Sequence, residues 1–229
     1  GQKYIFLHSH MRARSTLLTS ILCSSREISG DKEYTISYND SSGLDFLRWK
    51  ILRMNTRWKP FPKYVLDHIN QSRFKVAPPL FEKSNIFHIF LLRPPLDTIQ
   101  SCLAKWQDTR SLDFFLKYYN YRVEELVELA KLASKSPNGY IYINSDELVE
   151  NPEKNLDKIS KYLALCEPLS VEYKRETSWM DNTPDREIFP SQGQIVKKKH
   201  NYTTVIPQEE INSAWITYEN SHALLSGQG

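Results

Sequence analysis

The hydrophobic pattern of the chain alternates between short apolar runs and longer segments with helical spacing. The runs at 3–7, 86–92 and 140–143 consist largely of β-forming residues, and they predict three strands of one sheet. Run 86–92 is apolar almost throughout, as a strand covered on both faces of a parallel sheet should be. We therefore expect it to be the central strand.

Helical spacing of apolar residues marks the segments between and after these runs. The predicted helices are 15–23, 44–54, 62–71, 94–106, 112–134, 152–163 and 207–225. Strands that alternate with helices indicate βαβ units, so we predict an α/β fold with a mostly parallel sheet flanked by helices. The 229 residues fit a single domain, in which segment 170–204 has no periodicity and is predicted to be irregular.

Composition and charge argue against several classes of function. The 30 basic residues are nearly balanced by 27 acidic ones, whereas a general nucleic-acid binder has a basic excess. No apolar run reaches the roughly 18 residues of a membrane span, and the first residues lack a signal-peptide pattern. Cys23, Cys102 and Cys166 are too widely spaced for a disulfide framework or a zinc site. We expect a cytoplasmic protein with three buried free thiols and no nucleic-acid partner.

The segment between the first predicted strand and the first predicted helix is rich in anion-binding side chains. It contains Arg12, Arg14, Ser15 and Thr16. In a strand–loop–helix unit the loop N–H groups and the helix N-terminus bind anions, so this segment predicts a phosphate site. The Walker A pattern and the G-x-G-x-x-G pattern do not occur in the sequence, which argues against ATP and NAD as ligands.

A second pair of anion-binding residues lies at the end of run 86–92. Arg93 directly follows the run, and Ser101 lies eight positions later in the predicted helix 94–106. An arginine at a strand end offers two parallel charge-assisted hydrogen bonds to a phosphate group. We expect Arg93 and Ser101 to flank one phosphate.

Together these motifs resemble those of sulfotransferases that use 3′-phosphoadenosine 5′-phosphosulfate (PAPS). Segment 12–18 resembles the family's 5′-phosphosulfate loop, and the Arg93–Ser101 pair resembles its 3′-phosphate motif. The resemblance implies a P-loop-like sulfotransferase fold. It also implies PAPS as the donor, 3′-phosphoadenosine 5′-phosphate (PAP) as the product and no requirement for a metal.

Two weaker segments extend the resemblance along the chain. Segment 192–202 resembles the late basic loop that covers the nucleotide, and segment 144–152 resembles a family stretch in which Ser145 replaces a usual tyrosine. Arg14 stands where the family often has glycine. The resemblance places the following residues at the nucleotide: Arg12, Ala13, Arg14, Ser15, Thr16, Leu17, Arg93, Ser101, Lys198, Lys199 and His200.

Sulfuryl transfer needs a cation at the leaving group and a base that removes the proton of the acceptor. Arg12 is our first candidate for the cation. Many cytosolic relatives carry a histidine base in the stretch before the 3′-phosphate strand. The stretch we compare with it, 75–79, has Ala77 instead, so we expect that base to be absent.

Two other residues are candidates for the base. Some bacterial relatives use a glutamate after the first helix, and Glu33 in segment 28–34 resembles it, so Glu33 is our predicted base. The second choice is His68 on the predicted helix 62–71, with Asp67 as the residue that would orient it.

The resemblance implies a small polar acceptor that receives the sulfuryl group on a hydroxyl or an amine. Bacterial relatives of this type tailor natural products, including guanidinium toxins of the saxitoxin type. Two alternatives stay open at this point. One is a P-loop kinase for small molecules or nucleotides, and the other is a relative that binds the nucleotide without turnover, which Arg14, Ser145 and Ala77 would favour.

Overall fold

The computed structural model describes residues 1–30, 33–54, 59–106, 108–174, 192–195, 202 and 204–227. Five strands form one parallel sheet with the order β2-β3-β1-β4-β5. The strands are β1 Lys3–Ser9, β2 Ile28–Ser29, β3 Tyr64–Ile69, β4 Ile86–Leu92 and β5 Tyr140–Asn144. The central strand is β1 and not β4, which lies beside it, so the predicted position of run 86–92 is wrong by one place.

The helices within the described residues lie close to the predicted segments, apart from two short helices that were not predicted, Pro78–Phe81 and Ser145–Glu150. They are α1 Ser15–Leu22, α2 Ser42–Met54, α3 Pro78–Phe81, α4 Pro95–Trp106, α5 Leu112–Ala133, α6 Ser145–Glu150, α7 Pro152–Tyr162 and α8 Gln208–Gly227. Two short antiparallel strands, β6 Glu172–Lys174 and β7 Gln192–Gln194, occur in the segment that was predicted to be irregular.

Local sequence explains where several helices begin. The hydroxyl of Ser111 accepts a hydrogen bond from the N–H of Phe114 (3.2 Å) and caps α5. The side chain of Asn144 accepts hydrogen bonds from two N–H groups in the first turn of α6. Pro152 opens α7 at a position where a helix needs no N–H donor.

The sheet is covered on both faces, as a parallel sheet requires. One apolar core contains residues of α2, α4, α5 and α8, and the other contains residues of α1, α6 and α7. Strand β1 is buried along nearly its whole length. This packing leaves the ends of the strands as the places where loops and ligands can reach the sheet.

Segment 62–71, which was predicted to be a helix, contains strand β3. It pairs in parallel with β1, with Leu66 opposite Ile5 and His68 opposite Leu7. Asp67, one of the two residues that interrupt its apolar pattern, is buried and accepts hydrogen bonds from the Tyr38 hydroxyl (2.5 Å) and the Tyr34 N–H (3.0 Å). A buried strand can contain a polar side chain when that side chain has hydrogen-bond partners.

The thiols differ in their surroundings. Cys23 and Cys102 are buried, but Cys166 is exposed, so the prediction of three buried thiols is wrong for Cys166. Among the described helices, none combines the length and the apolar character that crossing a bilayer requires.

Candidate functional site

The predicted site residues gather at the edge where the strands of the sheet end. Strands β1, β3 and β4 run in parallel, so their carboxyl ends share one edge. Beyond these ends lie the loop 10–14, Asn70 and Arg93. In open α/β sheets this edge is where ligands bind.

The loop between β1 and α1 has an unusual backbone. Arg12 and Arg14 have positive φ angles of 60° and 64°, in the left-handed region that favours glycine. The N–H of Leu17 then bonds to the carbonyl of Arg14 (3.0 Å) as α1 begins. The first turn of α1 contains no acidic residue, and the side chain of its N-cap residue, Arg14, accepts no hydrogen bond from the N–H groups of that turn.

The three strongest motif residues lie together at this edge. The Nε of Arg12 donates a hydrogen bond to the hydroxyl of Ser101 (2.8 Å). Arg93 donates to the carbonyl of Arg12 (3.1 Å) and to the carboxylate of Asp97 (2.9 Å), and its side chain is 3% exposed. Two guanidinium groups and a hydroxyl from three elements thus form one cationic cluster.

Arg14 adjoins this cluster, because its guanidinium and that of Arg93 face the same carboxylate oxygen of Asp97. Its guanidinium donates to the carbonyl of Ser145 (3.1 Å) and forms an ion pair with Asp146 at the start of α6. The carboxylate of Asp97 lies 3.8 Å from it. The arginine that replaces the usual glycine therefore ties the loop to α6 and α4, and its charge is compensated by protein carboxylates.

A buried histidine links the loop to the end of β4. His10 faces the carbonyl of Met11 with Nδ1 (2.9 Å) and accepts from the N–H of Arg93 with Nε2 (3.0 Å). These partners require a neutral ring with the proton on Nδ1. Burial lowers the pKa of His10 to about 3, so the ring stays neutral at physiological pH.

The candidate base lies on the other side of β1. The Glu33 carboxylate accepts a hydrogen bond from the Asn70 amide and is 3.7 Å from Nδ1 of His68. Nε2 of His68 lies 2.7 Å from the hydroxyl of Ser9. Burial raises the pKa of Glu33, although the hydrogen bond from Asn70 opposes this shift. A carboxylate with a raised pKa is a better proton acceptor.

His68 and Glu33 differ in their access to solvent. The His68 side chain is 5% exposed, whereas that of Glu33 is 35% exposed. Burial also lowers the pKa of His68 to about 3. Glu33 is therefore the more accessible of the two from solvent, and the 3.7 Å between its carboxylate and Nδ1 of His68 is longer than a hydrogen bond.

One expectation about these histidine candidates is wrong. Asp67 does not orient His68, because alternate residues of β3 face opposite sides of the sheet and Asp67 is bound to Tyr38 and Tyr34. Segment 75–79 lies between β3 and β4, and its Ala77 is the N-cap residue of α3. His68 lies on β3, the strand before that segment.

The other residues predicted to bind the nucleotide lie in the loop, in α1 or outside the described part of the chain. Ala13 and Leu17 are buried, and Leu17 packs in the core beneath α1, so both would contribute backbone rather than side chain to a ligand. Ser15 and Thr16 open α1. Lys198, Lys199 and His200 lie outside the described residues.

Helix α5 supplies residues that the sequence analysis missed. Arg122 is 1% exposed and donates to the carbonyls of Ser9 (3.0 Å) and Ile69 (2.8 Å), the last residues of β1 and β3. The hydroxyl of Tyr119 donates to the carbonyl of Arg93 (2.7 Å). The detectable signal was a charged residue, Arg122, inside the apolar stripe of an amphipathic helix.

In the part of the chain that the structure describes, no three histidine, cysteine, aspartate or glutamate side chains are grouped to hold a metal ion. The cationic cluster is suited to a polyanionic ligand. A phosphate group offers several acceptor oxygens, and guanidinium groups bind such oxygens in pairs.

Sequence comparison found no matching family model and no matching curated protein. Solved structures do match. A sulfotransferase from Alicyclobacillus acidocaldarius has a TM-score of 0.56 at 11% identity, covering 99% of this chain and 95% of its own. The sulfotransferase domain of the Synechococcus PCC 7002 olefin synthase has a TM-score of 0.54 at 12% identity, covering 93% of each chain.

A mouse sulfotransferase, SULT7A1, is also similar, and its structure was solved in complex with PAP. It has a TM-score of 0.55 at 15% identity, and the match covers 96% of this chain and 89% of the mouse chain. At sequence identities this low, the structural matches show a shared architecture. The chain therefore has the sulfotransferase fold.

Proposed function

We propose that this protein is a sulfotransferase that moves the sulfuryl group of PAPS to a hydroxyl or amine of a small polar acceptor. The observation that carries the proposal is the cluster of Arg12, Arg93 and Ser101 beside the loop after β1. The fold adds support, because a neighbour with the same fold binds PAP.

The cluster suggests how the nucleotide would be held. Arg93 and Ser101 would bind the 3′-phosphate, which distinguishes PAPS from ATP, and the loop N–H groups with Ser15 and Thr16 would bind the 5′-phosphosulfate. Arg12 lies in the loop and contacts both residues proposed for the 3′-phosphate, through its side chain to Ser101 and through its carbonyl to Arg93. Both ends of the ligand would thus lie at one edge of the sheet.

The proposed reaction is a single in-line displacement. The acceptor oxygen or nitrogen forms a bond to sulfur, while the bond between sulfur and the bridging oxygen of the 5′-phosphate breaks. The negative charge that develops on that oxygen would be stabilised by Arg12. The acceptor proton would pass to Glu33, whose raised pKa favours accepting it.

For the acceptor we propose a small polar natural product, with guanidinium compounds of the saxitoxin type as the first class to test. The partly exposed carboxylate of Glu33 offers a cationic acceptor an ion pair next to the base. A cytoplasmic location is part of the same proposal, since buried free thiols such as Cys23 and Cys102 suit a reducing compartment.

The proposal is tested first by ligand binding. PAP should raise the melting temperature without magnesium, and ATP should raise it far less, since ATP lacks the 3′-phosphate. Stabilisation by magnesium and ATP but not by PAP would favour a kinase.

Turnover is tested next, by following PAP release from PAPS with phenols, alcohols, amines and guanidinium compounds. Release that depends on an acceptor supports the enzyme. PAP binding without release by any acceptor class would favour a non-catalytic nucleotide-binding protein.

A further inference from the structure

The hydroxyl of Tyr118 on α5 joins two strand ends that carry different parts of the site. It accepts a hydrogen bond from the N–H of Met11 (3.1 Å) and donates one to the carbonyl of Asn70 (2.9 Å). A hydroxyl has a single proton, so these two partners fix the direction of both bonds. Burial raises the pKa of Tyr118 to about 12, which keeps that proton in place.

A series of side-chain contacts connects the two partners of Tyr118, Asn70 and Met11. Met11 belongs to the loop proposed to hold the phosphosulfate. Asn70 donates its side-chain amide to the Glu33 carboxylate, which lies 3.7 Å from His68. His68 in turn contacts the hydroxyl of Ser9, two residues before Met11 (2.7 Å). The contacts therefore form a closed ring from the loop to the candidate base and back.

Side chains of α5 also bind the backbone at the strand ends next to this ring of contacts. Arg122, one turn beyond Tyr118, donates to the carbonyls that end β1 and β3. Tyr119 holds the carbonyl of Arg93. Tyr118 hydrogen-bonds to the loop backbone through Met11, whereas Tyr119 packs edge-on against the ring of His10, with ring centroids 5.1 Å apart. Tyr118 is thus the member of the group whose hydrogen bonds join the loop to Asn70.

We propose that Tyr118 is a positioning residue that couples occupancy of the loop after β1 to the placement of Glu33. The inference rests on the proposed function, in which the loop binds the phosphosulfate and Glu33 is the base. A nucleotide that orders the loop fixes the N–H of Met11. Tyr118 then holds the carbonyl of Asn70, and the Asn70 side chain orients the carboxylate.

The chain contains a matched control at the opposite edge of the sheet. The hydroxyl of Tyr162 accepts from the N–H of His88 (3.1 Å) and donates to the carbonyl of Gly139 (3.2 Å). Tyr118 and Tyr162 are both half-buried. Tyr118→Phe and Tyr162→Phe therefore remove the same two kinds of hydrogen bond, one pair at the site and one pair away from it.

The first measurement follows hydrogen–deuterium exchange with and without saturating PAP. In the wild type and in Tyr162→Phe, PAP should slow exchange both in the loop 10–14 and in segment 69–75. In Tyr118→Phe, PAP should still protect the loop but should no longer protect segment 69–75. This readout requires no knowledge of the acceptor.

The second measurement is turnover of PAPS with the best acceptor found in the screen. Tyr118→Phe should lower kcat roughly tenfold or more, because small misplacements of a catalytic group are costly, while the Kd for PAP changes less than about threefold. Tyr162→Phe should leave both unchanged. Asn70→Ala breaks the next link, so it should lower kcat while segment 69–75 keeps its protection.

The outcomes separate the two proposals. Equal protection of segment 69–75 and equal kcat in Tyr118→Phe and Tyr162→Phe would overturn the positioning role alone. A wild type that neither binds PAP nor consumes PAPS would overturn the proposed function, and the positioning role with it. If Tyr118→Phe unfolds under assay conditions, Asn70→Ala decides, since unchanged kcat in that variant contradicts the link to Glu33.

Discussion

The two edges of the sheet differ in the groups that bind backbone atoms left free at the strand ends. At the edge where the strands begin, Tyr162 bridges β4 and β5, and the Asn138 amide donates to the carbonyls of Ser84 (2.8 Å) and Ile86 (2.9 Å). At the edge where the strands end, the hydroxyls of Tyr118 and Tyr119 are joined by the buried guanidinium of Arg122 and the buried imidazole of His10.

The difference lies in the burial of charge. The ion pair at the first edge, Lys63 with Glu27, is partly exposed, with side chains 31% and 17% accessible. At the second edge Arg93 and Arg122 are 3% and 1% exposed. Burying a cation is costly unless anions compensate it, and here Asp97 pairs with Arg93 (2.9 Å) and Glu125 pairs with Arg122 (2.6 Å).

The largest expected effect is a loss of turnover when the candidate base, Glu33, is replaced. Glu33→Gln keeps the shape of the side chain but removes the proton acceptor, so kcat should fall on the order of a hundredfold with an unchanged Kd for PAP. The matched control is Glu27→Gln at the opposite edge, which should lower stability and leave kcat intact. Undiminished turnover in Glu33→Gln would assign the base to another residue.

The next effect concerns nucleotide affinity. Arg93→Ala removes a charge-assisted contact to the 3′-phosphate and should raise the Kd for PAP about thirtyfold, or roughly 2 kcal/mol. Lys63→Ala, which removes a cation from the opposite edge, should leave the Kd unchanged. Isothermal titration calorimetry measures both, and equal values for wild type and Arg93→Ala would remove Arg93 from the site.

Acid should destabilise the protein through its buried histidines. The pKa values of His10, His68 and His88 are lowered to about 3, so between about pH 6.5 and 3 the unfolded chain binds more protons than the native chain. The free energy of unfolding therefore falls as the pH falls through this range. Asp67 opposes the trend, because its raised pKa of about 7 costs stability as the pH rises from about 4 to 7.

His88→Phe measures the contribution of one of these histidines, which lies away from the proposed site, to the loss of stability in acid. His88 stacks on Phe81 with ring centroids 4.6 Å apart, and phenylalanine keeps this stacking but loses the 3.1 Å contact of Nδ1 with Nε2 of His8. Urea unfolding at pH 7 and pH 5 should show a smaller loss of stability in the variant, by up to about 1.4 kcal/mol per pH unit. An identical loss in the two proteins would show that His88 does not contribute.

The smallest effect is expected for Arg14→Gly. Glycine relieves the positive φ of 64°, a gain of about 1 kcal/mol, but the variant loses a partly exposed ion pair with Asp146 of similar worth. The melting temperature should change little, and the Kd for PAP should change less than about threefold. A large loss of PAP affinity would instead place the Arg14 side chain at the nucleotide.

The sequence predicted the elements whose pattern is unbroken. Runs 3–7 and 86–92 are strands, and α5 and α8 lie within a few residues of their predicted bounds. Strand β3 was missed because Asp67 and His68 interrupt its apolar pattern. Their partners, Tyr38 and Ser9, come from distant parts of the chain, so no local window contains the reason that these residues are buried.

In the candidate site too, contacts between distant parts of the chain could not be predicted from the sequence. Arg12 and Arg93 lie just beyond strand ends and Ser101 lies in the helix that follows β4, so their proximity could be predicted from a parallel sheet. The contributions of Tyr118 and Arg122 arise only when α5 packs across β1 and β3, more than 40 residues away in sequence. Sequence patterns identify side chains that face a ligand more readily than those that hold the backbone behind them.

The most direct test of the account compares PAP with adenosine 5′-phosphate, which lacks the 3′-phosphate, by calorimetry on the wild type and Arg93→Ala. We predict that the wild type binds PAP at least about thirtyfold more tightly and that Arg93→Ala binds the two nucleotides almost equally. A wild type that binds both with the same affinity would contradict the account, because its cationic cluster would then not recognise the 3′-phosphate.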